Sequence, residues 1–300
     1  MSWQNFVLSL MLRHRLKRRA VGPPDPEAAR RLAAAMTREP RVPPGWRVRD
    51  TATPLQGEWI ERAGNETVPD ARTLLYLHGG GYYFCSPRTH RAITLGLARA
   101  AEARTFVPDY RLAPEHRFPA AVEDALAAYR GLIAAGIPAG RIVVGGDSAG
   151  GGLALALLLS LRDAGEPLPA GAALFSPWTD LAATGESILA NNRSDPMFHG
   201  AHIAEAARFY LGDTLPTEPL ASPLYADLRG LPPLFIQASD SEVLLDDSTR
   251  FAEKARRAGV AVAFRAWPRL PHVWQLFHAF LPEGRAALQE TAAFIRRVVP

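Results

Sequence analysis

Six short apolar runs separated by helical stretches limit what this 300-residue chain can fold into more than any other feature. The runs cover residues 74–77, 105–108, 142–144, 172–175, 234–238 and 262–266; three are apolar throughout and the others carry one polar residue each, as in strands buried on both faces. Helical stretches fall among them at about 90–101, 119–135, 149–163, 246–258 and 284–298. This alternation predicts an α/β domain: a mostly parallel sheet with helices on both faces. Ahead of it, 46–49 and 58–62 read as an antiparallel pair.

Two regions stand outside the alternation. In residues 1–45, Trp3, Phe6, Val7, Leu10 and Met11 recur at helical spacing, and Asp25 before Pro26 predicts the cap of a second helix over 26–36. The other irregular region lies between Trp178 and Leu231, where no strand is visible and 199–211 is helical in character. An insertion of that length between core strands is expected to serve as a lid or binding element.

Charge narrows the partners. Lysine and arginine total 34 against 30 acidic residues, a formal net charge of +4, and Lys17 and Lys254 are the only lysines. That balance argues against nucleic-acid binding. The local run from Arg13 to Arg19 could mark a membrane-surface helix. The reading favoured here is a helix packed over the site with its charges in water. No stretch reaches the roughly 18–20 apolar residues needed to span a bilayer. The apolar run 6–12 has its cations after it, the wrong order for a secretory signal. Cys85, the sole cysteine, fits a reducing compartment. The expectation is a cytoplasmic protein without stable membrane insertion, with a homodimer left open.

The chemistry concentrates in four places. Gly146-Asp147-Ser148-Ala149-Gly150 follows the run 142–144 and opens a helix. A tight strand–turn–helix flanked by small residues is what presenting a nucleophilic serine requires. His78-Gly79-Gly80-Gly81 follows the run 74–77, and consecutive glycines let backbone N–H groups converge on one point. His78, at the strand end, is expected to orient that loop by hydrogen bonding.

If the elbow presents a nucleophile on a sheet of this kind, an acid and then a histidine are expected to follow the serine in the chain. Among the histidines beyond Ser148, His272 sits in the loop after the last strand, where the base is delivered, whereas His199 and His202 fall in the insertion and His278 lies farther on. The acid must follow the run 234–238. Asp246 and Asp247 are expected to begin the next helix, which leaves Asp240 and Glu242. No His/Cys cluster has metal-ligand spacing and no cofactor motif is present, so neither a metal nor a cofactor is expected.

Together these segments, with Pro108-Asp109-Tyr110-Arg111-Leu112-Ala113-Pro114-Glu115 and Pro271-His272-Val273, resemble the hormone-sensitive-lipase-like family of bacterial esterases over about residues 74–275. The family's acid sits in an Asp-Pro-Leu-x-Asp motif about 30 residues before the histidine. Glu242-Val243-Leu244-Leu245-Asp246 aligns with it, so the resemblance implies Glu242, with Asp240 the alternative. It further implies an α/β-hydrolase fold and hydrolysis of small-molecule carboxylic esters by Ser148, His272 and the acid through an acyl-enzyme. The N–H groups of Gly80, Gly81 and Ala149 would form the oxyanion hole. A helical cap would be built from residues 1–45 and an insertion at about 180–222 of a catalytic domain spanning 46–300. Tyr82, Tyr83 and Phe84 read as a crowded apolar wall, which favours short to medium acyl chains. Asp109, Arg111 and Glu115 are expected to fix a loop behind it through ion pairs.

Overall fold

A computed structural model describes residues 2–19, 24–52, 56–64 and 71–300. Eight strands form one sheet: β1 (Trp46–Thr51), β2 (Gly57–Arg62), β3 (Thr73–Leu77), β4 (Arg104–Pro108), β5 (Ile142–Asp147), β6 (Gly171–Phe175), β7 (Leu234–Ser239) and β8 (Val262–Trp267). Their order is β1-β2-β4-β3-β5-β6-β7-β8. β1 pairs antiparallel with β2, Val48 opposite Ile60, and β2 antiparallel with β4; every other pairing is parallel.

The helices are α1 (Trp3–Arg15), α2 (Pro26–Met36), α3 (Pro87–Ala101), α4 (Ala120–Ala134), α5 (Ala149–Asp163), α6 (Ser187–Ala190), α7 (Ala201–Leu211), α8 (Leu245–Arg257) and α9 (Pro282–Val298). Successive side chains of a strand point to opposite faces, and the core divides accordingly. Leu74 and Tyr76 of β3 meet Ile93 and Leu97 of α3 and Leu288 and Ile295 of α9 on one face. Leu75 and Leu77 join Tyr129 of α4, Leu153 and Leu157 of α5 and Phe251 of α8 on the other.

Chain order runs from β3 outward to β4 and then returns across β3 to β5. The connections therefore diverge at the C-terminal ends of β3 and β5, which opens a crevice between their loops. His78–Gly81 leave β3 there and Ser148 leaves β5. The loops after β7 and β8 complete the same edge.

The interval between β6 and β7 contains α6 and α7 and no strand, as the sequence predicts. Asp25 accepts hydrogen bonds from the Glu27 and Ala28 N–H groups and so caps α2 as expected. The expectation for α1 needs correction. Its buried side is Asn5, Leu8 and Leu12, which pack with Trp267, Leu270, Trp274 and Leu281 around the segment after β8. Trp3, Phe6, Val7, Leu10 and Met11, expected to cover the site, are instead exposed. The helix is apolar on two sides, and periodicity alone favoured the wider stripe. Leu8 and Leu12, at about 1.5–3 kcal/mol each, anchor the other one.

Candidate active site

Ser148 occupies a strained turn. Its φ is 52° and ψ −124°, a region that a residue with a side chain rarely adopts. The turn is held from both sides: the Ser148 N–H donates to Phe175 O at 2.8 Å, and its carbonyl accepts from Gly151, Gly152 and Trp178. A Cβ on Gly146 would run into the Gly150 carbonyl, and one on Gly150 into the Leu77 and His78 carbonyls. Only glycine lets α5 come this close to β3 and β5. Ser148 stands half-buried in an otherwise buried stretch, at the N-terminus of a helix whose dipole favours negative charge.

The histidine and one acid meet as expected. His272 Nδ1 lies 2.5 Å from Glu242 Oε2, and both residues are buried. The second carboxylate oxygen of Glu242 accepts the Ser239 N–H at 2.9 Å, which fixes its orientation. His272 Nε2 is buried and makes no hydrogen bond among the described residues. Burial alone would push the imidazole pKa down, but the Glu242 charge and hydrogen bond, with Asp195 and Asp147 farther off, hold it above its ordinary value. Asp240 is exposed and accepts from the Arg269 N–H at 2.7 Å. Asp246 and Asp247 lie in the first turn of α8, where they accept from the N–H groups of Ser187 and of Thr179 and Asp180.

The glycine loop folds on a buried network. Asp147 Oδ1 accepts from Tyr76 Oη at 2.7 Å and from Gly79 N at 3.1 Å, and Oδ2 lies 3.2 Å from His90 Nε2. The side chain beside the serine thus ties the elbow to the glycine loop. Gly80 and Gly81 have φ of 114° and 58°, and the Gly80 carbonyl accepts from Tyr83 and Phe84 in a tight turn. Among the described residues the N–H groups of Gly80, Gly81 and Ala149 donate to no protein acceptor. His78 stacks on Tyr110 with ring centroids 4.3 Å apart, and Nδ1 is 2.8 Å from Gly79 O. Its hydrogen bond to the loop is the one the sequence predicts, and burial, and then the neighbouring His90, push its pKa down to about 3.

Aromatic side chains pack into a wall after the glycine loop. Tyr82 is buried and stacked on Tyr210 of α7 at 3.8 Å, while Tyr83 packs on Phe84 at 5.0 Å and on Phe209 at 5.2 Å. Phe84 is half-buried, and Phe198 sets an edge against His272 at 5.1 Å. Behind the wall, the Ala113 N–H donates to Tyr82 O at 2.8 Å. Two of the three residues expected to form ion pairs do so, with partners from elsewhere: Arg111 with Glu123 and Asp124 of α4, and Glu115 with Arg30 of α2. Asp109 forms none among the described residues. Arg30 also donates to the Tyr83 and Ala113 carbonyls, both at 2.8 Å, and so clamps the wall.

Sequence reasoning missed Asp195. This buried residue of the insertion accepts from the Met197 and Phe198 N–H groups through Oδ1 and from Val243 N through Oδ2. It holds the ring that touches His272 and the residue next to Glu242. The one local signal is Asp before Pro196, a turn-initiating pair.

Comparisons with known proteins agree with the fold. A family described by its alpha/beta hydrolase fold matches residues 74–276. An acetyl-hydrolase of Streptomyces hygroscopicus is 48% identical over 255 residues, covering 85% of this chain and 83% of its own. An esterase of Acinetobacter venetianus is 38% identical over 241 residues, covering 80% and 78%. A crystal structure of an esterase from the bacterial hormone-sensitive lipase family superimposes with a TM-score of 0.93 at 43% identity, covering 100% of this chain and 99% of that one. The chain therefore belongs to the alpha/beta-hydrolase-fold family, among the hormone-sensitive-lipase-like bacterial esterases.

Proposed function

We propose that the chain is a serine carboxylesterase that hydrolyses small-molecule esters of short to medium acyl chains through an acyl-enzyme. The observation that carries this reading is the buried Glu242–His272 hydrogen bond, formed on the same sheet edge as a serine held in a strained elbow. The carboxylate fixes the tautomer with hydrogen on Nδ1, which leaves Nε2 to take the Ser148 proton. The serine oxygen then attacks the ester carbonyl, and the oxygen that becomes negative is received by the Gly80, Gly81 and Ala149 N–H groups. Collapse expels the alcohol, which takes its proton from His272. Water, deprotonated by the same nitrogen, repeats the attack and releases the acid.

Substrate class follows from the wall. Tyr83 and Phe84, beside Tyr82 and joined by Phe198 and Phe209 from the insertion, form a crowded apolar wall, which favours short to medium acyl chains. Residues 1–45 and about 180–222 act as the cap over a catalytic domain of 46–300, with Arg30 linking α2 to the wall. The reading calls for no cofactor. Among the described residues no helix is long and apolar enough to cross a membrane. With Cys85 as its only cysteine the chain has no need of an oxidising compartment, and the cytoplasm is its proposed place.

The test is a series of initial rates on esters from acetyl to palmitoyl, for the parent and Ser148→Ala. The parent should peak at short or medium chains, and the variant should fall to a residual rate on the order of 10³–10⁴ over water. Near-normal turnover by a folded Ser148→Ala protein would remove the serine from the mechanism.

A further inference from the structure

The side of α1 that the core leaves unused is itself a built surface. Trp3, Phe6, Val7, Leu10 and Met11 form one continuous stripe, and Trp3 and Phe6 are 67% and 63% exposed. Trp3 meets Phe280 edge-on at 5.8 Å, which carries the patch onto the segment before α9. Isolated exposed apolar residues need no explanation, but a contiguous group of five or six does.

The helix is held firmly in this pose. Ser2 caps it and donates to Glu283, the Asn5 side chain donates to Arg269 O at 2.9 Å, and Leu8 and Leu12 are buried beneath it. At the far end Arg13 donates to the Arg193 and Ser194 carbonyls, and Lys17 to those of Asn192 and Asp195. The stripe thus faces outward from a rigid mount. Part of that mount, Trp267, Arg269 and Leu270, belongs to the segment leading to His272.

Charge selects the occupant. Residues 1–24 contain no Asp or Glu, whereas Arg13, Arg15, Lys17, Arg18 and Arg19 cluster at the end of the stripe. Arg15 and Arg18 are exposed. A second copy of the chain laid on the stripe would bring five more cations and no carboxylate from its own α1. An anionic surface that is apolar just below its charges matches both features, and an aromatic–aliphatic stripe ending in arginines is suited to lying in a headgroup layer.

We propose that the outward face of α1 docks the protein peripherally on bilayers containing anionic phospholipid, with Trp3, Phe6, Val7 and Leu10 entering the headgroup–acyl boundary and Arg15 and Arg18 meeting lipid phosphates. This rests on the proposed esterase reading only for its purpose, which is to hold the loop carrying His272 beside a surface where apolar esters collect.

Co-sedimentation with vesicles tests it, using phosphatidylcholine alone and phosphatidylcholine with one-third phosphatidylglycerol. The protein should bind the anionic vesicles about tenfold or more tightly than the neutral ones, and be released as salt rises from about 0.1 M to about 0.5 M. Phe6→Ser/Leu10→Ser should weaken binding about tenfold or more, and Arg15→Gln/Arg18→Gln should weaken it on anionic vesicles only. Unfolding midpoints equal to the parent's show that either pair of changes leaves the fold intact. Absence of binding by the parent, or binding indifferent to Phe6→Ser/Leu10→Ser, overturns the proposal. So does a parent dimer in sedimentation equilibrium that this pair of changes dissociates, which would assign the stripe to a second copy. Ser148→Ala should bind vesicles like the parent, so a failed esterase reading and a failed docking surface give different results.

Discussion

Replacing Glu242 by glutamine is the sharpest single perturbation of the site, because both carboxylate oxygens have fixed partners. One oxygen lies 2.5 Å from His272 Nδ1 and the other accepts the Ser239 N–H at 2.9 Å. An amide can satisfy only one of them. If its oxygen takes the Ser239 N–H, the NH₂ faces Nδ1 and selects the tautomer with hydrogen on Nε2, which cannot accept the serine proton. If it turns to the imidazole, two N–H groups oppose one another at Ser239 in a buried place. In either pose the negative charge that stabilises the imidazolium is gone.

The expected loss is roughly 10⁴ in kcat, about 5 kcal/mol of barrier, with little change in KM where chemistry limits turnover. A second signature follows from the charge. Glu242 raises the His272 pKa against burial, so without it the rise of kcat/KM with pH should move to lower pH. Asp240→Asn keeps an oxygen to accept from Arg269 N on an exposed loop and should cost less than about tenfold. The assay is a chromogenic short-chain ester followed from about pH 5 to about pH 9. A ranking with Asp240→Asn the more damaging, or a Glu242→Gln enzyme within about tenfold of the parent, refutes the reasoning.

The pH profile and four substitutions probe the rest of the site. In the parent, kcat/KM should rise with pH through a pKa above the ordinary 6.5 of histidine and then level off, because His272 must be neutral to accept a proton. His272→Ala should match Ser148→Ala in damage, whereas His199→Ala, which removes a bond to the Lys17 carbonyl and an edge contact with His202, should not. Asp195→Ala strands three N–H donors and should lower stability by about 2–4 kcal/mol in urea titration while reducing kcat through a misplaced Phe198; unchanged stability would deny it that role. Arg30→Met unclamps the Tyr83 and Ala113 carbonyls, so KM for longer acyl chains should rise several-fold with kcat for acetyl esters little altered; an unchanged chain-length profile would separate α2 from the wall.

Much of the architecture was legible because its signals are local. Apolar runs located the six core strands, and Asp25 before Pro26 placed the start of α2. β5 extends past the run 142–144 to Asp147 because its last residues are glycines and a carboxylate buried by neighbouring loops. The contacts that escaped are long-range. Arg30 and Glu115 are 85 positions apart, and Asp195 works through backbone N–H groups that no composition reveals. Glu242 and Asp240 were separated by alignment to a family motif. The structure supplies a physical difference between them, one buried against His272 and the other exposed on Arg269 N. On α1 the sequence offers two apolar stripes, and only the neighbouring Trp267, Leu270 and Trp274 decide which one is buried.

The claim on which the rest depends is that Ser148 carries the acyl group. Mixing the enzyme with an ester whose acyl-enzyme hydrolyses slowly, quenching in acid and measuring the intact mass tests it directly. One acyl increment per chain is expected, mapped to the peptide containing Ser148 and absent from Ser148→Ala, with a burst of alcohol of matching size. Turnover at full rate with no covalent increment, or an increment that persists in Ser148→Ala, would contradict it.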